Sequence, residues 1–349
     1  MTSLTRISII ARKIIRYGIF GIILFIVARS TILTGIRIYR HFYPEPPPPP
    51  TVKFNKLPKL PFPEKQIPEG LTYTLETPNG ELPVFNTQAK VYFMPKLSPY
   101  FGSLDEAKVK ARKLGFSDNV KSESETIYVF SNPKVPSELK INIVTGVFSI
   151  SYNLSSDPSP IEKKPPVAEI ADSLVKSFLS SGGLLPEDLS GPLKSEFLKV
   201  ENQQLVGTIS LSDANLIKVK FFRKSFEDIP SLTANPDQAN VWFIVSGSNQ
   251  KEKQIVAGEF HHFPVEESNN STYPIKTSQQ AWQELQENKA YIANVGTNEN
   301  NNKITIRRVY LAYFDPPAYT DFYQPIVVFE GDGGFVAYIP AVTSEYYGE

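Results

Sequence analysis

Residues 17–28 form an unbroken uncharged apolar run, and after Arg29, Ser30 and Thr31 the apolar pattern resumes at Ile32, Leu33 and Ile36. The run alone would rise only about 18 Å as a helix, short of a hydrocarbon core of roughly 30 Å. With the continuation the length suffices. A transmembrane helix over residues 14–38 is therefore expected, with Arg29 snorkelling towards one interface and Tyr39, Phe42 and Tyr43 as an aromatic belt. Arg6, Arg12, Lys13 and Arg16 precede the run while Arg37 and Arg40 follow it, so residues 1–13 are expected in the cytoplasm and the remainder outside. A cleaved signal peptide is the competing reading, but a small-residue cleavage site is missing.

Downstream the pattern changes twice. Pro44, Pro46 and the prolines after them, then Pro58, Pro61, Pro63 and Pro68, mark residues 39–69 as an extended proline-rich stalk, with fixed φ and missing N–H donors. Beyond it, short β-type runs alternate with a few amphipathic helices. Ser103-Leu104-Asp105-Glu106 reads as a capping box opening a helix that Gly115 ends, and residues 126–130 and 139–152 read as strands. Proline and charge at residues 155–166 mark a linker. Residues 167–181 then read as a helix with Ile170, Leu174, Phe178 and Leu179 on or near one face, followed by strands at 197–200, 205–211, 216–223, 239–246 and 255–263. A third helix opens at Thr277 with Gln280 three residues on and carries Ala281, Trp282, Leu285 and Ala290. Strands at 303–314, 324–330 and 335–342 follow, the last two joined by Gly331-Asp332-Gly333-Gly334, a turn that needs positive φ. The expected fold class is α+β: three antiparallel-sheet modules, each with a packed helix, over residues 70–154, 167–265 and 266–349.

Composition narrows the function more than the fold. A hydrophobic share of 41% is enough for substantial cores, and 36 basic against 36 acidic residues leave no net field to draw nucleic acid. The chain has no cysteine, which removes disulfides, thiolate metal sites and a cysteine nucleophile. Of its three histidines, His41 falls at the expected membrane interface, whereas His261 and His262 are adjacent on a strand and point to opposite faces. Glu187-Asp188, Glu227-Asp228 and Glu266-Glu267 are paired carboxylates near loops, the spacing of solvated turns or, on the sharper reading, of a glycan-acting enzyme. Asn153-Leu154-Ser155 and Asn270-Ser271-Thr272 fit the glycosylation sequon. H-E-x-x-H, G-x-S-x-G, phosphate-loop and EF-hand patterns are missing. No catalytic, cofactor-binding or metal residue is assigned.

The last unit carries a resemblance. Tyr273-Pro274-Ile275-Lys276-Thr277, then Ala281-Trp282 and Leu285, a V-x-L-x-Y strand at Val309, Leu311 and Tyr313, the run from Tyr323 through Gly331, and a tail with Tyr338 and Ala341 together resemble the C-terminal part of the YycH/YycI family. Residues 103–116 and the strands after them resemble a PepSY-like helix-plus-strand module. The resemblance implies an extracytoplasmic α+β regulatory protein on one membrane helix, acting on an envelope or sensor-kinase partner without catalytic residues. An envelope enzyme acting on glycan or peptide, and a small-ligand or protease-inhibitor module, are the alternatives.

Overall fold

A computed structural model describes residues 3–42, 48–64, 70–298 and 302–348. The chain divides into two compact units, residues 1–49 and 50–349. Among the described residues the first holds one helix, α1 (Ser3–Phe42). Within it, Arg12–Tyr39 contains an 18-residue stretch with a mean hydropathy of 2.2, none of it buried against protein. The 28 residues of Arg12–Tyr39 rise about 42 Å, more than a bilayer core requires. Apolar side chains surround the helix on all sides, so no face is reserved for water. The Thr31 hydroxyl donates to the Val27 carbonyl at 2.9 Å, which keeps it satisfied in an apolar medium. Tyr43 and the side chains of His41 and Phe42 lie outside the described residues, as do residues 43–47 and 65–69 of the expected stalk.

The second unit runs in order through β1 (Thr72–Leu75), β2 (Gln88–Phe93), α2 (Ser103–Lys113), β3 (Val120–Ser122), β4 (Ile127–Ser131), β5 (Ser137–Asn142), β6 (Phe148–Tyr152), α3 (Ala168–Ser181), β7 (Lys194–Glu201), β8 (Gln204–Thr208) and β9 (Leu216–Phe221). It continues through β10 (Ser231–Thr233), β11 (Val241–Val245), β12 (Ile255–Phe260), β13 (Glu266–Pro274), α4 (Ser278–Gln286), β14 (Tyr291–Asn294), β15 (Lys303–Asp315), β16 (Phe322–Tyr323), β17 (Pro325–Gly331) and β18 (Val336–Pro340). The mixed α+β class is as the patterning implied.

Nine strands form one sheet in the order β3-β4-β5-β6-β12-β11-β9-β7-β8. Each half follows the helix-then-strands plan, and the last strand of one half pairs antiparallel with the last strand of the other. At this seam Phe148 stacks on its cross-strand partner Phe260, with ring centroids 4.8 Å apart. Both helices cover one face. Ala107 and Ala111 of α2 and the i, i+4 row Ala171, Val175 and Leu179 of α3 share a core with Phe130, Phe148, Phe243 and Phe260. The buried stripe of α3 is thus turned one position from the one read in the sequence. Ile170 is exposed, and the small Ala171 takes the place nearest the sheet. Gly258 of β12 leaves room for the cross-strand Phe243, whose ring a Cβ would strike. Gly258→Ala is expected to cost about 1–3 kcal/mol by overpacking, read as a lowered Tm, and an unchanged Tm would contradict this packing.

The second large sheet has the order β1-β15-β17-β18-β14, with β10 also pairing β15. On one face α4 buries Ala281, Trp282 and Leu285 against Phe329 and Phe335. The opposite face is covered by part of the segment expected as a stalk. Leu60 is buried with Phe314, Ile326 and Tyr338, and Phe62 stacks on Tyr291 at 4.6 Å with rings nearly parallel. Upstream, the Leu57 N–H donates to the Tyr346 carbonyl, and its own carbonyl accepts from the Gly348 N–H. A small sheet, β13-β2-β16, completes the unit.

This arrangement corrects the modular reading. Residues 50–64 belong to the folded unit, where apolar side chains at 57, 60 and 62 turn a proline-rich strand of chain into a strap over a sheet. Residues 70–93 supply β1 and β2 to the C-terminal sheets, β1 running parallel to β15, so the helix-plus-strand module is 103–152 rather than 70–154. Residues 155–166 are folded too: Leu154 and Ile161 pack on the bare face of the nine-stranded sheet beside Tyr152 and Ile244.

Local differences have local causes. Residues 139–152 are a hairpin, not one strand, because Gly146 turns at φ 72°. At α2 the Ser103 hydroxyl accepts from the Tyr100 N–H instead of capping the helix. At α4 the capping box forms in full, the Thr277 hydroxyl accepting from Gln280 N–H and the Gln280 side chain accepting from Thr277 N–H. Ala290 lies just past that helix. Gly333 and Gly334 take the positive φ expected of them.

Candidate functional site

A buried group of titratable side chains lies where the nine-stranded sheet meets the C-terminal sheets. Arg223, just beyond β9, has a side chain 1% exposed. Its Nε donates to Asp315 Oδ1 at 2.6 Å, one Nη to Asp188 Oδ2, and the other to the Phe263 carbonyl at 2.6 Å. Asp188 comes from the loop after α3 and Asp315 ends β15. His262 Nε2 donates to Asp188 Oδ1 at 2.8 Å, and Asn240 Nδ2 donates to the Asp315 carbonyl at 3.0 Å. The Arg223 guanidinium also lies 5.6 Å from the centre of the buried Tyr323 ring. Four distant segments thus meet on one guanidinium, and its fork geometry is what lets a single cation bind two carboxylates and a carbonyl.

Electrostatics fix the ionisation. Burial by itself would raise the Asp188 carboxyl, but the His262 hydrogen bond and the Arg223 charge outweigh it and hold it down at about 2. Burial also opposes the Arg223 charge, yet Asp315 and Asp188 push its pKa upward. Since the folded-state pKa of Asp188 lies below its ordinary 3.8, its contribution is complete above about pH 4 and is lost as pH falls through 2. We expect a Tm decline over that window that is reduced in Asp188→Asn. An identical acid profile in that variant would remove Asp188 from the account.

The sequence-predicted residues divide accordingly. His262 enters the junction, while His261 turns to Glu259, 2.8 Å away, and to the Pro317 carbonyl at 3.2 Å. Asp188 is not a solvated turn residue as its pairing with Glu187 implied. Glu227 and Asp228 do form a turn, both at positive φ, and Glu227 pairs with Lys90. Glu267 pairs with Lys224 at 2.7 Å. The sequon asparagines serve local turns: Asn153 accepts from the Ser155 and Ser156 N–H groups, and Asn270 donates to the Glu267 carbonyl.

A separate cleft of about 370 Å³ opens between α2 and α3 over the seam of the nine-stranded sheet. Leu114, Phe116, Ile150 and Phe178 line it, and Lys113 and Lys251 stand at its polar side. Its size falls in the range of small-molecule sites.

The sheet edges differ in how they are covered. The outer edge of β13 is covered by the strap, where Val52 N–H donates to the Thr272 carbonyl at 3.1 Å. Beside β14, Tyr291 and Asn294 bond to Ala234 and Asp237. The edge strand β3 carries Lys121 and is followed by Glu123, paired to Lys140 at 2.5 Å. β8 differs: it ends the nine-stranded sheet, and among the described residues no hydrogen bond reaches its outer side.

No known family model matches the chain, and no curated protein matches it by sequence. Solved structures similar to the chain include the following two. One is an uncharacterized protein from Eubacterium rectale ATCC 33656, at 15% identity and a TM-score of 0.39 over 76% of this chain and 85% of that one. The other is the Bacillus megaterium YpeB C-terminal domain, at 13% identity and a TM-score of 0.31 over 68% of this chain and 92% of that one. At these scores neither likeness bears on function, and membership of the YycH/YycI family is not shown.

Sequence reasoning missed both Arg223 and the strap. Arg223 ends an apolar strand with no local partner, and nothing in its neighbourhood points to residues 188 or 315. The strap did leave a signal: Phe54, Leu57 and Leu60 recur every third residue, the period of a polyproline helix, and so can share one side of an extended proline-rich segment.

Proposed function

We propose that this chain is a membrane-anchored, non-catalytic interaction or regulatory protein. On this reading α1 lies in the bilayer, residues 50–349 face outwards, and an exposed sheet edge engages a membrane or envelope protein. The observation that carries it is α1 itself, long enough to cross and apolar around its whole circumference. Basic residues weighted to its N-terminal side support the orientation. The ion-paired state of Asp188, Arg223 and Asp315 supports the non-catalytic part, since each is held by the others rather than presented to an open cleft. The likeness of Val309, Leu311 and Tyr313 to the YycH/YycI strand belongs to the same proposal and places a sensor kinase among the candidate partners.

Fractionation of cells expressing the full chain is the test. It should resist alkaline extraction from membranes, and protease added to intact cells should digest residues 50–349. Recovery in the soluble cytosol would overturn the proposal. The cleft between α2 and α3 favours a second reading, a small-solute module. That reading requires a solute that raises the Tm of the full chain and loses this effect in Ser177→Trp, which fills the cleft mouth.

A further inference from the structure

Strand β8 has features that exposed edges ordinarily avoid. Residues 202–212 carry no charged side chain and no proline, although charge and proline are the usual means of keeping an edge from pairing. Leu205 and Val206 are exposed, and Ile209 just beyond the strand is fully exposed. The hairpin to β7 is closed by Asn202 and Gln203, both at positive φ, with Glu201 opposite Gln204. The Leu198 carbonyl accepts from Asn215 N–H and the Val200 N–H donates to Asn215 Oδ1, so these two residues of β7 bond towards β9. By alternation Gln204, Val206 and Thr208 bond to β7, and the backbone groups of Leu205 and Gly207 point outwards.

We propose that this edge pairs antiparallel with β8 of a second copy of the chain, about a two-fold axis at Gly207, making one continuous sheet through both copies. The proposal rests on the interaction-protein reading and names the partner. Self-pairing is favoured because the segment is complementary to itself. Leu205 of each copy faces Ile209 of the other on one side of the sheet, Val206 faces Thr208 on the other, and the side-chain-free Gly207 sits at the axis. No like charges are brought together over this stretch. Glu201 lies outside the pairing and is held by Lys199 at 2.5 Å, and the chain bends at Ile209, just past the strand, before Asp213 N–H closes on the Ser210 carbonyl. So short an edge binds weakly in free solution. Confinement of every copy to one membrane by α1 raises the effective concentration.

The chain has no cysteine, so Gly207→Cys introduces a single thiol at the axis. Gly207 does not have positive φ, and a Cβ there meets only Glu196 at 4.0 Å, so the fold tolerates the change. With the full-length variant in its native membrane, oxidation by copper phenanthroline is expected to give a disulfide-linked homodimer. Gln204→Cys lies about 10 Å from the axis along the strand and Ser210→Cys lies past the bend that ends it, and both should cross-link at least tenfold less. Adding Leu205→Lys and Ile209→Lys to Gly207→Cys sets like charges face to face and should also lower the dimer at least tenfold. Equal cross-linking at 204, 207 and 210 would overturn the proposal, as would no dimer at 207 or capture of a different protein there. If these variants are membrane-held with residues 50–349 outside, such a result removes the second copy and leaves the interaction-protein reading standing. Recovery from the cytosol removes that reading itself.

Discussion

Replacing Arg223 with leucine is expected to destabilise residues 50–349 by about 3–5 kcal/mol, the cost of leaving buried carboxylates without their cation. The Asp315 side chain is 6% exposed and that of Asp188 15%, so water cannot replace the guanidinium at either. The Phe263 carbonyl would lose its donor as well. Lysine should restore only part of the loss, because an ammonium lacks the planar fork that reaches two carboxylates and a carbonyl at once. The informative control is the triple replacement Arg223→Met, Asp188→Leu and Asp315→Leu. If the penalty comes from uncompensated charge, that variant should be more stable than Arg223→Leu alone, although it has lost more polar contacts. Denaturant unfolding of the full chain in detergent reads both. A change under about 1 kcal/mol in Arg223→Leu would mean that the junction opens to water.

The way this junction is built explains what the sequence could and could not reveal. Elements whose cause is local were legible. The α4 cap follows from Thr277 and Gln280, the glycine turn from the φ demanded at Gly333 and Gly334, and α1 from apolar length. Ser103 shows the limit of local cause, since its hydroxyl is taken by the Tyr100 N–H and the expected capping box does not form. What joins the elements was not legible. β1 lies parallel to β15 across some 230 residues, and β6 meets β12 across more than a hundred, through pairings that no periodicity encodes. Both pairings cross the boundaries drawn at composition changes, so proline and charge marked folded connections rather than gaps between domains. Asp188 misled for the same reason: beside Glu187 on a loop it resembles solvated charge, and only the tertiary fold brings Arg223 and His262 to it.

The strap makes this distinction testable. Leu57→Ala and Leu60→Ala should each cost about 2–5 kcal/mol, values that a solvated stalk could never show. Leu57 is packed with Val91, Tyr273 and Val342, whereas Leu60 packs with Phe314, Ile326 and Tyr338. Tyr347 borders both clusters and its hydroxyl accepts from the Leu60 N–H at 3.0 Å, so the two losses should be coupled rather than strictly additive in a Leu57→Ala, Leu60→Ala double variant. Proline suits this role. A residue without an N–H leaves no donor stranded when it crosses a sheet face, and its fixed φ lowers the entropy lost on docking, while carbonyls remain to accept, as Pro58 does from Gln324 Nε2 at 3.0 Å. Lys56 and Lys59 flank the anchoring leucines and give the readout. Trypsin should cut after them at least tenfold faster in the double variant than in the parent, because the bonds of Leu57 to Tyr346 and Gly348 no longer hold the segment down. Unchanged cleavage and unchanged stability would return residues 50–64 to the role of a spacer and leave the face of β17 and β18 to be covered by something else.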